Sequence, residues 1–454
     1  MVQKISQGTM RTLIKNATIV NEGVHQKGSV LIDGEIIADI FTDETPALTG
    51  IGLTIDAEGL TLVPGVIDDH VHFRDPGLTH KADMESESRA AAAGGVTSIF
   101  DMPNTLPQTT TFEALDDKFS HAAECCHVNY SFFFGATNSN GDLIDRIDRT
   151  KVCGIKVFMG SSTGNMLVDD ANSLRTLFSK ARMPIMAHCE DTKTIEANAQ
   201  KVREEYGDDA PIELHPQIRS REACMKSTAM AVKLAKETGA RLHIAHITTA
   251  DELSLFDKGD LSTKHITAEA CPAHLLFCDK DYAAKGSLIK CNPAIKSSDD
   301  REALRRALTD GRIDVIGTDH APHTLAEKRG GSLKAVSGMP MVQFSLVSML
   351  TMADKCRIDH ALIIDKMCHA PARLFSVARR GFIRKGYYAD LVLVSNSEWT
   401  LRNEQIESKC KWSPLEGETF SWKVEKTFCN GRLLYSDGKV DTSITGLPIE
   451  FDRE

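Results

Sequence analysis

Several features that would place a chain in a membrane, on nucleic acid or outside the cell are missing from this sequence. No apolar run among its 454 residues is long enough to span a bilayer, and residues 1–8 (MVQKISQG) contain no hydrophobic signal segment. Lysine and arginine are not clustered and the formal net charge is −10, which argues against nucleic acid as a partner. The 12 cysteines include no CxxC pair, so reduced thiols are expected and not a disulfide framework. These absences predict a cytoplasmic protein that binds neither membranes nor nucleic acid.

The chain does contain a series of apolar runs that end in polar side chains. Residues 62–67 (LVPGVI) lead into His70 and His72, and four later runs end at Lys156, His188, His246 and Asp319. Three more runs complete a set of eight strands, and helical stretches lie between the strands at 85–93, 173–180, 225–236 and 300–308. Eight alternating β and α units predict an α/β fold, a (β/α)8 TIM barrel whose site lies at the C-terminal ends of its strands.

Both ends of the chain have a different pattern. Residues 11–55 alternate apolar and polar side chains around a predicted Asp33-Gly34 hairpin turn, and short strands with Asn430-Gly431 and Asp437-Gly438 turns follow residue 389. Neither end alone supplies enough strands for a stable sheet, so the two ends are predicted to form one small β-sandwich. The predicted division is 1–56 for its N-terminal half, 57–375 for the barrel and 376–454 for its C-terminal half.

The His70-Val71-His72 sequence is the first indication of chemistry. Side chains two residues apart on a strand share a face, and neutral imidazole is a common ligand of zinc. The pair alone is a weak signal, and cobalt or manganese would suit histidine and carboxylate ligands equally well. By the same alternation, His243 is predicted to face away from the side occupied by His246, and Cys189 to point into the surrounding helices.

Six short motifs in one order carry a resemblance to a known group of enzymes. They are 69–77 (DHVHFRDPG), 101–105 (DMPNT), 154–159 (GIKVFM), 246–249 (HITT), 290–293 (KCNP) and 317–323 (GTDHAPH). With them the chain resembles the amidohydrolase superfamily, and within it the metal-dependent cyclic amidases of the dihydroorotase group. The resemblance extends from the first predicted strands to residues 389–392.

The resemblance implies two zinc ions per subunit, bridged by hydroxide and by Lys156 carboxylated with CO2. The metal ligands it implies are His70, His72, Lys156, His188, His246 and Asp319. The modification is chemically reasonable, because an ammonium group repels a cation whereas a carbamate is an anion that can bridge two metals. Some relatives use an aspartate as the bridge, and Asp169 and Asp170 are the alternative here.

The resemblance also implies a substrate and a reaction. Asp319 would move the proton, Arg74, Asn104 and His323 would bind a ring carboxylate, and Asn292 would contact the ring edge. The implied reaction is the reversible cyclisation of N-carbamoyl-L-aspartate to (S)-dihydroorotate and water in pyrimidine (UMP) synthesis. Arg74 and Asn104 favour this reaction over allantoinase or dihydropyrimidinase activity, which stay open together with a non-catalytic structural relative.

Three further points rest on the resemblance or stay open. Related enzymes form homo-oligomers, so a dimer or tetramer is expected. His274 ends a predicted strand and could either reach the site or be packed. The segment 212–220 (IELHPQIRS) is unusual for a barrel loop, and the sequence assigns it no role.

Overall fold

The computed structural model of this protein describes residues 11–42, 44–160 and 166–453. Residues 1–8, in which no signal segment was predicted, lie outside these ranges. Within the described residues, no helix is both long enough and apolar enough to cross a membrane.

Five strands at the beginning of the chain form part of a sheet. They are β1 (Arg11–Asn21), β2 (Val24–Asp33), β3 (Ile36–Phe41), β4 (Ile51–Asp56) and β5 (Thr61–Pro64). The predicted Asp33-Gly34 turn joins β2 to β3, which pair antiparallel, and Gly34 adopts a φ of 61° that few other residues tolerate. β1 lies between β2 and β5, so the alternating pattern read from the sequence corresponds to real strands.

The next eight strands form a parallel barrel. They are β6 (Val66–Val71), β7 (Val96–Asp101), β8 (Asn129–Gly135), β9 (Gly154–Phe158), β10 (Ile185–His188), β11 (Leu242–Ile244), β12 (Ile266–Ala270) and β13 (Val315–Ile316). Each strand pairs with its neighbour in sequence order. The ring closes beyond the short β13, where the backbone N–H of His72 donates to the carbonyl of His320 over 2.7 Å.

Helices follow most of the barrel strands and cover the outside of the ring. They are α1 (Met84–Ala93), α2 (Phe112–Cys125), α3 (Ala171–Lys180), α4 (Thr192–Tyr206), α5 (His215–Ile218), α6 (Arg221–Thr238), α7 (Pro272–Leu276), α8 (Tyr282–Lys285), α9 (Ser298–Thr309), α10 (Ser345–Cys356), α11 (His360–Ile364) and α12 (Ala370–Phe375). The four helical stretches predicted from sequence fall within α1, α3, α6 and α9. Side-chain caps explain several starts: Asp83, Asp170, Ser220 and Ser297 each accept a hydrogen bond from a backbone N–H of the first turn.

The end of the chain returns to the first sheet. Its strands are β14 (Leu391–Thr400), β15 (Thr419–Cys429), β16 (Arg432–Ser436) and β17 (Lys439–Val440). β14 pairs with β5, so strands from both ends join in one nine-stranded sheet with its own buried apolar cluster. The predicted fold class, a (β/α)8 barrel with a smaller β unit built from both termini, is confirmed. The division at residues 56 and 375 stays a prediction, and β5, which joins the two halves of the sheet, would fall on the barrel side of it.

A second buried cluster fills the barrel below the strand ends. It takes one apolar side chain from most barrel strands, including Ile67, Phe100, Phe133, Met186 and Val315. Phe375, at the end of α12, is fully buried in this cluster, with ring centroids 5.0 Å from Phe100 and 6.0 Å from Phe133 in edge-to-face contact. The last helix, α12, therefore closes the end of the barrel opposite to the one that carries the strand-end polar groups.

We expect Phe375→Ala to lower the free energy of unfolding by about 3–5 kcal/mol, the usual cost of removing a buried aromatic ring from a core that cannot collapse around the gap. Phe375→Leu keeps most of the apolar volume and should lose clearly less. The midpoints of urea unfolding for the two variants and the wild type measure this difference. Equal midpoints for Phe375→Ala and the wild type would contradict a packed floor.

Candidate active site

One cavity of about 430 Å³ opens at the C-terminal ends of the barrel strands. Its lining includes all ten residues that the resemblance implies as metal ligands or substrate contacts: His70, His72, Arg74, Asn104, Lys156, His188, His246, Asn292, Asp319 and His323. These residues come from seven different strand ends or the loops that follow them. The rim predicted from sequence is therefore one physical site, and the roles of its residues are considered below.

His70, His72 and Asp319 form one group of possible metal ligands. Nε2 of His70 lies 3.4 Å from Oδ1 of Asp319, and Nε2 of His72 lies 3.1 Å from the same oxygen. All three donor atoms fall within 4.8 Å of one another, close enough for a single ion to contact them. Burial lowers the pKa of His70 to about 3 and that of His72 to about 4, so both rings are neutral, as a ligand must be.

His188 and His246 form a second group. Nδ1 of His188 lies 2.9 Å from Nε2 of His246, and both side chains are buried. Burial, reinforced by His188, holds the pKa of His246 well below its usual range, so this ring carries no charge. Two ring nitrogens directed at one point in a buried site are a favourable arrangement when a cation accepts both lone pairs.

Hydrogen-bond acceptors behind three of the rings fix which nitrogen faces the cavity. Nδ1 of His70 donates to Glu269 Oε2 over 2.9 Å, and Nδ1 of His72 donates to Asn104 Oδ1 over 2.8 Å. Nε2 of His188 donates to Glu190 Oε2 over 2.9 Å. In each case the opposite nitrogen keeps its lone pair for the cavity, which is the usual way that proteins orient metal-binding histidines.

Lys156 is a buried amine without a hydrogen-bond partner among the described residues. Its side chain is fully buried, and Nζ makes no hydrogen bond to any of the described residues. Burial lowers the pKa of Lys156, and its side chain lines the same cavity as both groups of ligands. A neutral, water-excluded amine is the form that reacts with CO2, so the site suits a carbamate.

The two aspartates considered as the alternative bridge lie outside the cavity. Asp169 and Asp170 are both exposed, and neither lines the cavity. Asp169 accepts a hydrogen bond from Asn138 over 3.0 Å, and Asp170 caps α3 through the backbone N–H of Ser173 over 2.7 Å. Their side chains therefore serve the loop and the helix that follows it.

Backbone strain turns three of the site residues into the cavity. Arg74, His246 and Asp319 have φ values of 66°, 40° and 48°, a left-handed conformation that is costly for residues other than glycine and is concentrated at functional sites. This conformation corrects the prediction that His243 and His246 face opposite sides. His243 points inside the barrel, 3.3 Å from Asp69, and the chain then leaves β11 and bends so that His246 faces inward too.

Part of the cavity lining consists of cationic and neutral hydrogen-bond donors. The guanidinium of Arg74 lies 3.0 Å from Nε2 of His323 and donates from Nε to the carbonyl of Pro322. Arg74 is 7% exposed, and no carboxylate lies within ion-pair distance of it in the ranges that the structure describes. Burial lowers its pKa to about 10, so it stays charged at neutral pH. Asn292 also lines this cavity, with its side-chain oxygen buried and unpartnered by any described group.

Sequence reasoning missed the residues behind the ligands. Glu269 and Glu190 are fully buried acids, one in β12 and one two residues after His188. An acid in an apolar strand, or directly beside a candidate ligand, was the signal that could have found them. Burial raises the pKa of Glu269 to about 7, while Arg219, acting against burial, holds that of Glu190 at about 2.

The segment 212–220 now has a role. Arg219 donates to Glu190 Oε2, the same oxygen that accepts from His188, so the segment supports a candidate ligand from behind. Nε2 of His215 donates to the carbonyl of Cys291, next to Asn292, over 2.8 Å. His274 is buried in α7 and bonds to the carbonyl of Pro293 over 3.0 Å, so it supports the same loop and does not line the cavity. Cys189 is buried in the apolar layer outside the barrel, as predicted.

Comparison with known proteins agrees with the site. A model of the amidohydrolase family matches residues 61–434. The chain therefore belongs to the amidohydrolase family and is a hydrolase of that family, which confirms the resemblance first seen in the six motifs.

The most informative relatives fall into neighbouring groups. A dihydroorotase from Halobacterium salinarum is 36% identical over 410 residues, which cover 89% of this chain and 92% of the relative. An allantoinase from Bacillus velezensis is 30% identical over 445 residues, which cover 94% of each chain. The solved structure of an L-hydantoinase (dihydropyrimidinase) from Arthrobacter aurescens matches with a TM-score of 0.88 at 26% identity, covering 94% of this chain and 97% of that one.

We expect Lys156→Ala to lose bound metal and most activity, because no group remains between the two sets of ligands. A small carboxylate such as acetate, added to the buffer, should restore part of both by filling the gap. Metal per chain by atomic absorption and the rate of hydrolysis measure the effect, with exposed Lys151→Ala as the control. Wild-type metal content in Lys156→Ala would contradict Lys156 as the bridge.

Proposed function

We propose that this protein is a dihydroorotase, which interconverts N-carbamoyl-L-aspartate and (S)-dihydroorotate in pyrimidine synthesis. The observation that carries the proposal is Arg74: a buried guanidinium that faces the cavity and has no carboxylate partner among the described residues. A buried cation in this position needs an anion, and the carboxylate on the ring of dihydroorotate supplies one.

The metal centre is part of the proposal. His70, His72, His188, His246, Asp319 and a carboxylated Lys156 would hold two zinc ions, and the fit rests on the neutral imidazoles, their fixed tautomers and the unpartnered Nζ of Lys156. When bound, zinc lowers the pKa of water toward neutrality and polarises a carbonyl oxygen. A homodimer or homotetramer is proposed on the resemblance to the family alone.

Asp319 is proposed to move the proton. Its Oδ1 lies 3.1 Å from Nε2 of His72, within the first group of ligands, and a cation bound there would keep the carboxylate ionised at neutral pH. An ionised carboxylate inside a cavity accepts a proton from the attacking water during hydrolysis. It then returns that proton to the ring nitrogen as the amide bond breaks, and the two roles reverse during cyclisation.

The other cavity residues would orient the ring. Arg74 and His323 would bind the ring carboxylate, and the amide nitrogen of Asn104 would join them while its oxygen holds His72. The unpartnered oxygen of Asn292 would accept a hydrogen bond from a ring N–H. An uncharged ring, such as dihydrouracil, would leave Arg74 without its anion, which supports the proposal over a dihydropyrimidinase activity.

We expect Asp319→Asn to lower kcat by about 10²–10⁴-fold, the usual contribution of general acid–base catalysis, because the amide has a similar shape but cannot accept a proton. Metal content should fall much less than activity, which separates proton transfer from ligation. Steady-state kinetics and metal analysis of the same preparation measure both, with exposed Asp145→Asn as the control. Activity within tenfold of the wild type would require another base.

We expect Arg74→Met to lower kcat/KM for dihydroorotate by roughly 30-fold to several thousand-fold, because removing one partner of a buried charged contact costs about 2–5 kcal/mol. Turnover of dihydrouracil, which lacks the carboxylate, should change little or improve. The measurement is hydrolysis of each ring by the zinc-loaded enzyme, with exposed Arg175→Met as the control.

A different pattern would overturn the assignment. Wild-type enzyme that ignores dihydroorotate but hydrolyses allantoin or dihydrouracil, with no effect of Arg74→Met, would identify a sister cyclic amidase. Absence of hydrolysis of any of these rings by the zinc-loaded protein would favour a non-catalytic relative.

A further inference from the structure

Both ring nitrogens of His323 contact a cationic hydrogen-bond donor, and one of these donors, Lys81, has no role in the site described so far. Nε2 of His323 lies 3.0 Å from Nη2 of Arg74, and its Nδ1 lies 3.2 Å from Nζ of Lys81. Both neighbours are cations that only donate, whereas a neutral imidazole has one acceptor nitrogen and one N–H. Only one of the two contacts can therefore be a hydrogen bond to His323 at any time.

The surroundings of Nδ1 decide which contact is made. Lys81 is held by Glu327, whose Oε1 lies 2.6 Å from Nζ, and its side chain is only 13% exposed. Glu327 is held in turn, because its Oε2 accepts from the backbone N–H and the hydroxyl of Thr324 over 2.9 and 3.0 Å. Glu327 Oε2 lies 3.7 Å from Nδ1, too far to accept a proton from it. Nδ1 is therefore best satisfied as an acceptor from the ammonium group of Lys81.

Hydrogen bonds to the surrounding backbone keep His323 and Arg74 from moving apart. The carbonyl of His323 accepts a 2.7 Å hydrogen bond from Nε1 of Trp412, and its side chain is 5% exposed. Arg74 is likewise fixed by the carbonyl of Pro322. If Nδ1 accepts from Lys81, the N–H of His323 is at Nε2 and points toward the guanidinium of Arg74, so two donors lie 3.0 Å apart at the cavity wall.

We propose that Lys81 is a positioning residue for substrate specificity: it holds His323 with its proton on Nε2, so that His323 and Arg74 together form a two-donor site for a ring carboxylate. This inference rests on the proposed function and adds to it how the carboxylate is recognised. A carboxylate oxygen between Arg74 and Nε2 accepts from both and removes the conflict of the free enzyme. A ring without a carboxylate gives neither donor a partner.

Lys81→Met tests the proposal, because methionine keeps much of the apolar stem and removes the donor. We expect KM for dihydroorotate to rise roughly 10- to 100-fold, the range for losing a hydrogen bond that supports a charged contact, with a smaller change in kcat. Lys81→Arg restores a cationic donor and should recover most of the loss. Lys334→Met removes an exposed lysine paired with Asp209 outside the cavity and should resemble the wild type.

A tautomer measurement separates positioning from simple stabilisation of the loop. In 15N spectra of the ligand-free, zinc-loaded enzyme with labelled histidine, His323 should have its proton on Nε2, and its signals are assigned by their loss in His323→Asn. In Lys81→Met the proton should move to Nδ1, because Nε2 then accepts from Arg74. A lysine that only stabilised the loop would change thermal stability and leave the tautomer as it was.

The possible results separate this inference from the proposed function. A proton on Nδ1 in the wild type, or a KM for dihydroorotate within threefold of the wild type in Lys81→Met, overturns the role of Lys81 while dihydroorotase activity stands. Wild-type enzyme that neither binds nor turns over dihydroorotate overturns the substrate assignment, and the Lys81 proposal with it, even if the tautomer is as expected.

Discussion

The site depends on how the barrel closes between its first and last strands. β13 has only two residues, so backbone pairing along it is minimal. Asp68 of β6 compensates, because its carboxylate accepts from the backbone N–H of Thr318 over 2.9 Å and from the hydroxyl of Thr318 over 2.6 Å. These bonds hold the residue before Asp319 against β6, which carries His70 and leads directly into His72. Without this closure the first group of ligands would lie on two unconnected edges.

The second constraint is the cost of burying ionisable side chains at the site. The protein reduces this cost by hydrogen-bonding the candidate ligands to buried acids behind them. Glu269 contacts His70 and also accepts from the backbone N–H of His246, so one carboxylate orients members of both ligand groups. A buried, unpaired charge is costly, which explains why the neutral imidazoles, the amine of Lys156 and the supporting acids occur together. The barrel strands hold these side chains in place, and a bound cation would pair with the lone pairs and carboxylates that face it.

The cavity lining has two electrostatically different parts, one proposed to bind metal and move the proton and one proposed to bind the ring carboxylate. The imidazoles of the two ligand groups offer free lone pairs, whereas Arg74, Lys81 and His323 donate hydrogen bonds. A ring amide with a carboxylate at one end fits this division, because its reacting carbonyl and its charge need opposite partners. The strained backbone at Arg74 and Asp319 directs one residue to each side.

The sequence by itself determined the eight-stranded alternation, the helices between the strands and the candidate ligands, because periodicity and short motifs are local. His70 lies on β6 and His72 directly follows its last residue, and the face they share was predicted from the two-residue period alone. Only the tertiary structure decided that Glu269 and Lys81 stand behind the site residues, since their partners His70 and His323 are distant in sequence. It also decided that His246 faces inward, because a left-handed φ after β11 overrides strand alternation. Such contacts arise from closing the ring, a condition that no local pattern encodes.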